Sequence, residues 1–236
     1  MKRTQDKRLR SFTNLITKNV MSLFLKNNCN LPYEKISENN SKKIYEIDIG
    51  NFPLPFNFSP RKKYINFDPF VSVILEVQKN SNYFNVSGRN FSEISVSDLS
   101  IHLILNVPND ILKSKYFLLR DEIANSVRHE LEHVSQGEID NQMAGVYGRG
   151  KDYYSFIFSE NDVDSSFAKY LMQKREIPAF VRGYSQISLD KNQFNKNIEE
   201  VLEIYLSKGL ISLQEKFIIF KTWSEWCDRH INKKRF

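Results

Sequence analysis

The sequence predicts an α+β fold, a twisted and mainly antiparallel sheet in the N-terminal half followed by a helical half. Three observations predict it. Between residues 43 and 107, short runs rich in Ile, Val, Phe and Tyr alternate with polar residues and are cut by Pro, Asn and Ser, the pattern of half-buried strands. After residue 112 the apolar residues recur at three and four, the helical period. The 236 residues, 41% hydrophobic and 13% aromatic, suffice to bury one full core. The reading divides the chain into a basic helical arm over 1–27 and an α+β domain over 43–236.

Residues 1–26 hold Lys2, Arg3, Lys7, Arg8, Arg10, Lys18 and Lys26 against Asp6 alone, a surplus of +6 that equals the formal net charge of the whole chain. Leu9, Phe12, Leu15, Ile16, Val20, Leu23 and Phe24 recur there at helical spacing. The arm is therefore a basic amphipathic helix, docked on this protein's own core, on another protein, or on nucleic acid or an anionic membrane. Its first ten residues read as too basic to be packed inside anything.

A polar loop over 27–42 follows, then strands over 43–49, 70–77, 83–86, 93–96 and 100–107. Pro53, Pro55, Pro60 and Pro69 rule out a long element between the first two. Helices are predicted over 113–136, 162–173, 176–188, 193–208 and 211–231. In the last of these, Phe217, Phe220, Trp223 and Trp226 read as a buried stripe rather than a base-stacking surface. The glycine- and tyrosine-rich stretch 137–159 reads as a surface loop or a lid.

The chemistry is concentrated in His129-Glu130-Leu131-Glu132-His133, an H-E-x-x-H pattern. Ile123, Val127, Leu131 and Val134 form an apolar stripe around it, so the pattern lies on an amphipathic helix. Residues four apart stand one above the other on a helix, and both imidazoles can reach one ion. Glu130 then holds the general-base position beside a coordinated water. A zinc site needs a third protein ligand, and Glu176 is the best-placed carboxylate. It opens Glu176-Ile177-Pro178-Ala179-Phe180, where Pro178 is tolerated only in a helix's first turn. The competing reading is an ordinary helix-start glutamate favoured by the macrodipole. Asp162 and Asp164 look like capping residues, and Glu138 and Asp140 follow the motif too closely to fold back. His102 reads as a core or edge histidine, and His230, beside Arg229, as solvent-facing.

H-E-x-x-H followed some forty residues later by Glu-x-x-Ala resembles the gluzincin group of zinc metallopeptidases over about 116–190. The resemblance implies a zincin-like fold, a zinc ion on His129, His133 and Glu176, Glu130 as catalytic base, and a peptide or protein substrate. In such folds an edge strand binds the peptide antiparallel, and 100–107 is the strand proposed for it. The order of elements also loosely resembles small zincin-like proteins encoded by bacteriophages. That likeness implies a cytoplasmic role in a bacterial host or a place in the virion, among other phage proteins. The rival reading is a non-catalytic virion, assembly or nucleic-acid-associated protein on the same fold, whose basic arm makes the polyanion contact.

Other chemistries lack their residues. Cys29 and Cys227 alone supply neither a disulfide framework nor a thiolate zinc site, and they fit a reducing compartment. No apolar run approaches a membrane span. Asn14, Lys18 and Asn19 interrupt the apolar stretch of any secretory signal. No phosphate-binding glycine loop or Gly-x-Ser-x-Gly elbow is present.

Overall fold

The computed structural model describes the backbone of residues 2–26, 35–39, 42–53, 70–79, 85–92, 99–107, 116–136 and 158–231. These fall into two compact units, Met1–Tyr147 and Gly148–Phe236. The expected class, an N-terminal mainly antiparallel sheet followed by a helical half, is corrected. The part of the chain described to its side chains is 82% helical, so this part is mostly helical. The chain opens on a 25-residue helix, α1 (Lys2–Lys26), over the segment read as a basic amphipathic helix. The reason is periodicity: the apolar residues of that segment follow 3.6, and they are packed rather than held out on an arm.

In the first unit, α1 packs against α2 (Tyr116–Gln136). Leu9, Phe12, Ile16 and Val20 of α1 are buried, as are Leu119, Ile123, Val127 and Leu131 of α2. Each such burial contributes about 1.5–3 kcal/mol before the entropy of ordering is set against it. Basic character thus does not keep residues 6–10 from packing: Asp6 and Leu9 are both buried. Lys7, Arg8 and Lys18 lie on the exposed face, so the charge stays wet while the apolar stripe is covered.

Between these helices the backbone runs through β1 (Lys35–Asn39), β2 (Lys42–Pro53), β3 (Phe70–Lys79), β4 (Asn85–Ser92) and β5 (Leu99–Val107). They pair in the order β1-β2-β3-β5-β4, with β3 and β5 parallel and the other pairs antiparallel. The β2–β3 register shifts between Asp48 and Gly50, and Gly50 absorbs the bulge at φ 116°. The segment 100–107, proposed as a peptide-binding edge, lies in β5 and is hydrogen-bonded on both sides. An interior strand has no unpaired row of N–H and C=O groups to offer a peptide. Helix α2 packs on β4 and β5.

The second unit is helical: α3 (Ser166–Leu171), α4 (Glu176–Ile187), α5 (Lys191–Ser207) and α6 (Leu213–His230), preceded by a 3-10 turn over Glu160–Asp162. Every start except that of α4 carries a side-chain cap: Ser159, Ser165, Asp190 and Ser212 each accept a hydrogen bond from a backbone N–H of the first turn. α5 ends in a Schellman motif, with Gly209 N–H donating to Leu206 O (2.9 Å) and Leu210 N–H to Tyr205 O (3.0 Å). Gly209 takes φ 67° there. The core gathers Leu171, Ile177, Val181, Phe194, Ile198, Trp223 and Trp226. Phe180 stacks on Trp223 at 4.9 Å, and the Trp223 indole N–H donates to Leu171 O at 3.3 Å. Among the described residues no helix is long and apolar enough to cross a membrane.

Glu215 locks two helix starts together. Its Oε1 accepts from the Asp164 and Ser165 N–H groups at 3.0 and 2.7 Å, and its Oε2 from Ser212 N–H at 2.7 Å. Burial alone would push this carboxyl up, but the backbone N–H groups and hydroxyls of Ser212 and Ser165 pull it down to about 2.

Candidate metal centre

His129 and His133 both lie on α2, and the helix brings them together as the four-residue spacing predicts. Their Nε2 atoms are 3.0 Å apart, and the rings meet edge to face with centroids at 4.7 Å. His133 is buried and His129 half-buried. Two ring nitrogens cannot sit at that separation with lone pairs opposed; they need a proton or a cation between them. For zinc at ~2.0–2.1 Å from each in a tetrahedral shell, the nitrogens would stand about 3.3 Å apart, so the pair fits after opening by a few tenths of an ångström.

Glu130 is buried on the same helix, three residues before His133 and so beside it on the surface. Glu122 is two turns upstream on the histidine face; its carboxyl is pushed up by burial, reinforced by the negative charge of Asp121. Arg128 and Glu132 are both 1% exposed and bonded to each other, Nη1 to Oε2, at 3.1 Å. Arg128 Nη2 also meets Asp6 Oδ1 of α1 at 3.0 Å.

Glu176 belongs to the helical unit, where it is the first residue of α4 and is buried. Pro178 sits in the first turn of that helix, as its missing N–H requires. The turn is closed by Glu176 N–H donating to Gln173 O at 2.9 Å, without a side-chain cap. The exposed Arg175 places its Nε 3.5 Å from Glu176 Oε1.

Of the other carboxylates weighed from the sequence, Asp162 is a cap, accepting from Ser159 N–H. Asp164 lends its backbone N–H to Glu215. His230 is half-buried and lies against Trp226 with ring centroids at 4.6 Å, not on open solvent. The side chain of His102, together with Glu138, Asp140, Tyr147, Tyr153, Tyr154 and most of the lid segment, lies outside the described residues. Sequence reasoning missed Asp6, Arg128, Glu132 and Glu215. The four-residue spacing of Arg128 and Glu132 and the capping-box spacing of Ser212 and Glu215 were the readable signals.

No family model, curated protein or solved structure matches the chain.

Proposed function

We propose that this protein is a zinc-dependent metallopeptidase of gluzincin type, with His129, His133 and Glu176 as metal ligands and Glu130 as general base. The observation that carries the reading is the 3.0 Å approach of the two histidine nitrogens on α2. It is supported by Glu176, a carboxylate buried at the start of its own helix and able to offer an oxygen as a ligand. Among the described residues, His129, His133 and Glu176 are a set of three that can each offer a metal one ligand atom.

Zinc held there would supply Lewis acidity and lower the pKa of a coordinated water towards neutrality. The histidines must be neutral to serve, each presenting a lone pair at Nε2. Glu130 takes a proton at its carboxylate and returns it to the leaving amine of a peptide or protein substrate.

The test is metal analysis of purified full-length protein by mass spectrometry. One zinc per chain is expected, abolished in His129→Ala and His133→Ala and reduced in Glu176→Ala. A chain that neither carries zinc nor takes it up on addition overturns the reading. Full metal content in Glu176→Ala alone would reassign the third ligand.

A second reading, a binding protein that meets a polyanion through α1, is favoured by one observation. Lys7, Arg8 and Lys18 are exposed on that helix. Phosphate contacts by such groups would make the affinity strongly salt-dependent.

A further inference from the structure

We infer that Asp6 and Arg128 are positioning residues for the proposed metal centre, the ion pair between them fixing the direction in which the histidine pair faces. The inference rests on the metal reading of His129 and His133. Arg128 immediately precedes His129, and Glu132 immediately precedes His133. On a helix of 3.6 residues per turn, the 128/132 face stands about 100° from the 129/133 face. Whatever anchors the first therefore sets the second.

The anchor is specific. One guanidinium joins two carboxylates, Glu132 Oε2 at 3.1 Å on its own helix and Asp6 Oδ1 at 3.0 Å, 122 residues away on α1. The side chains of Arg128, Glu132 and Asp6 are 1%, 1% and 8% exposed. Apolar contacts between α1 and α2 bring the helices together, but they are non-directional and tolerate rotation. A charge-assisted hydrogen bond does not. Turning α2 about its axis would break the Asp6–Arg128 bond and strand a charge in the interior, at a cost of several kcal/mol. Asp6 of α1 thereby acts on the direction of the histidines through Arg128. Groups hydrogen-bonded directly to metal ligands typically change metal affinity by 10- to 100-fold when removed, and Asp6 and Arg128, which act through the helix, are expected at the lower end of that range.

The experiment compares the full-length chain with two variants by zinc competition against a coloured chelator, with circular dichroism and the melting temperature of the metal-free protein recorded alongside. Asp6→Asn keeps the shape and removes the charge. The triple variant Asp6→Leu/Arg128→Met/Glu132→Leu removes all three charges together, a replacement that often leaves stability unchanged or raised. Both are expected to bind zinc about tenfold or more weakly, the triple variant while melting at or above the parent temperature. A folded triple variant with parent affinity overturns the inference. Loss of the fold in both variants assigns the ion pair to stability alone and equally overturns it. A parent chain that takes up no zinc sinks the metal reading and this inference together, whereas parent uptake with unchanged variants sinks only the inference.

Discussion

Replacing Glu215 by Gln should destabilise the helical unit by about 2–4 kcal/mol. The carboxylate accepts from Asp164, Ser165 and Ser212 N–H at 3.0, 2.7 and 2.7 Å. A hydrogen bond to a charged group is worth about 1.5–3 kcal/mol, and an amide keeps one oxygen while turning an NH2 towards donors, so one to two bonds are lost. The ionisation of the group leads to a similar figure. Its pKa is drawn from 4.5 to about 2 against the opposing effect of burial, and each unit corresponds to about 1.4 kcal/mol, before solvent screening trims the total. Because the folded-state value is the lower one, this stabilisation is complete above about pH 4.5 and is lost as the pH falls through 2. The assay is urea unfolding followed by tryptophan fluorescence. Both tryptophans of the chain, Trp223 and Trp226, lie in the helical unit, so the signal reports that unit. The Gln variant should unfold at lower urea at pH 7 and should lack this part of the acid sensitivity. A midpoint shift equivalent to less than about 0.5 kcal/mol, or an unaltered acid slope, would refute the reasoning.

Three further outcomes are expected. Glu130→Gln should retain zinc and fold yet lose hydrolysis of the true substrate, since the base is not a ligand; unchanged turnover in that variant removes Glu130 from the mechanism, and lost metal makes it a ligand. Combined Lys7→Gln, Arg8→Gln and Lys18→Gln should flatten the salt dependence of any binding to DNA, RNA or anionic vesicles by up to about three charges in slope. Equal binding by both forms counts against the polyanion reading. Truncating the segment would be a poorer experiment, because it also removes buried Leu9, Phe12, Ile16 and Val20. Gly209→Ala should cost about 1–2 kcal/mol through its φ of 67° alone, because among the described residues nothing lies within 4 Å of an added Cβ. A much larger loss, read in the same urea titration, would mean that the added methyl meets a neighbour.

What could be read from the sequence was local. The pairing of His129 with His133 follows from a spacing of four, and the start of α4 at Glu176 follows from Pro178. The capping box of α6 was equally open to reading in Ser212-Leu213-Gln214-Glu215, although the second task of Glu215, fifty residues back at Ser165, was not. Nothing in the chain announces that Asp6 meets Arg128 across 122 residues. The fold class failed for a related reason. Alternation over 43–107 was given the leading role, while the helical period of the first 26 residues was kept as a separate arm, with docking on the protein's own core only one of three alternatives. The aromatic stripe of α6 shows how a spacing misleads. Steps of three fall 60° short of a full turn, so by the third step, from Phe217 to Trp226, the direction has reversed. Phe217 is accordingly 65% exposed and Trp226 fully buried.

The thiol of Cys227 gives the helical unit a built-in clock. It is 1% exposed, and burial pushes it up to about 11 against the pull of the nearby Lys191 ammonium. Thiolate is the reactive form, so alkylating reagents and peroxides meet an inert sulfur while α6 stays packed. Once the helix opens, the same sulfur returns to ordinary acidity and reacts. In a Cys29→Ser background, the pace of Cys227 alkylation at neutral pH would therefore count openings of the helical unit.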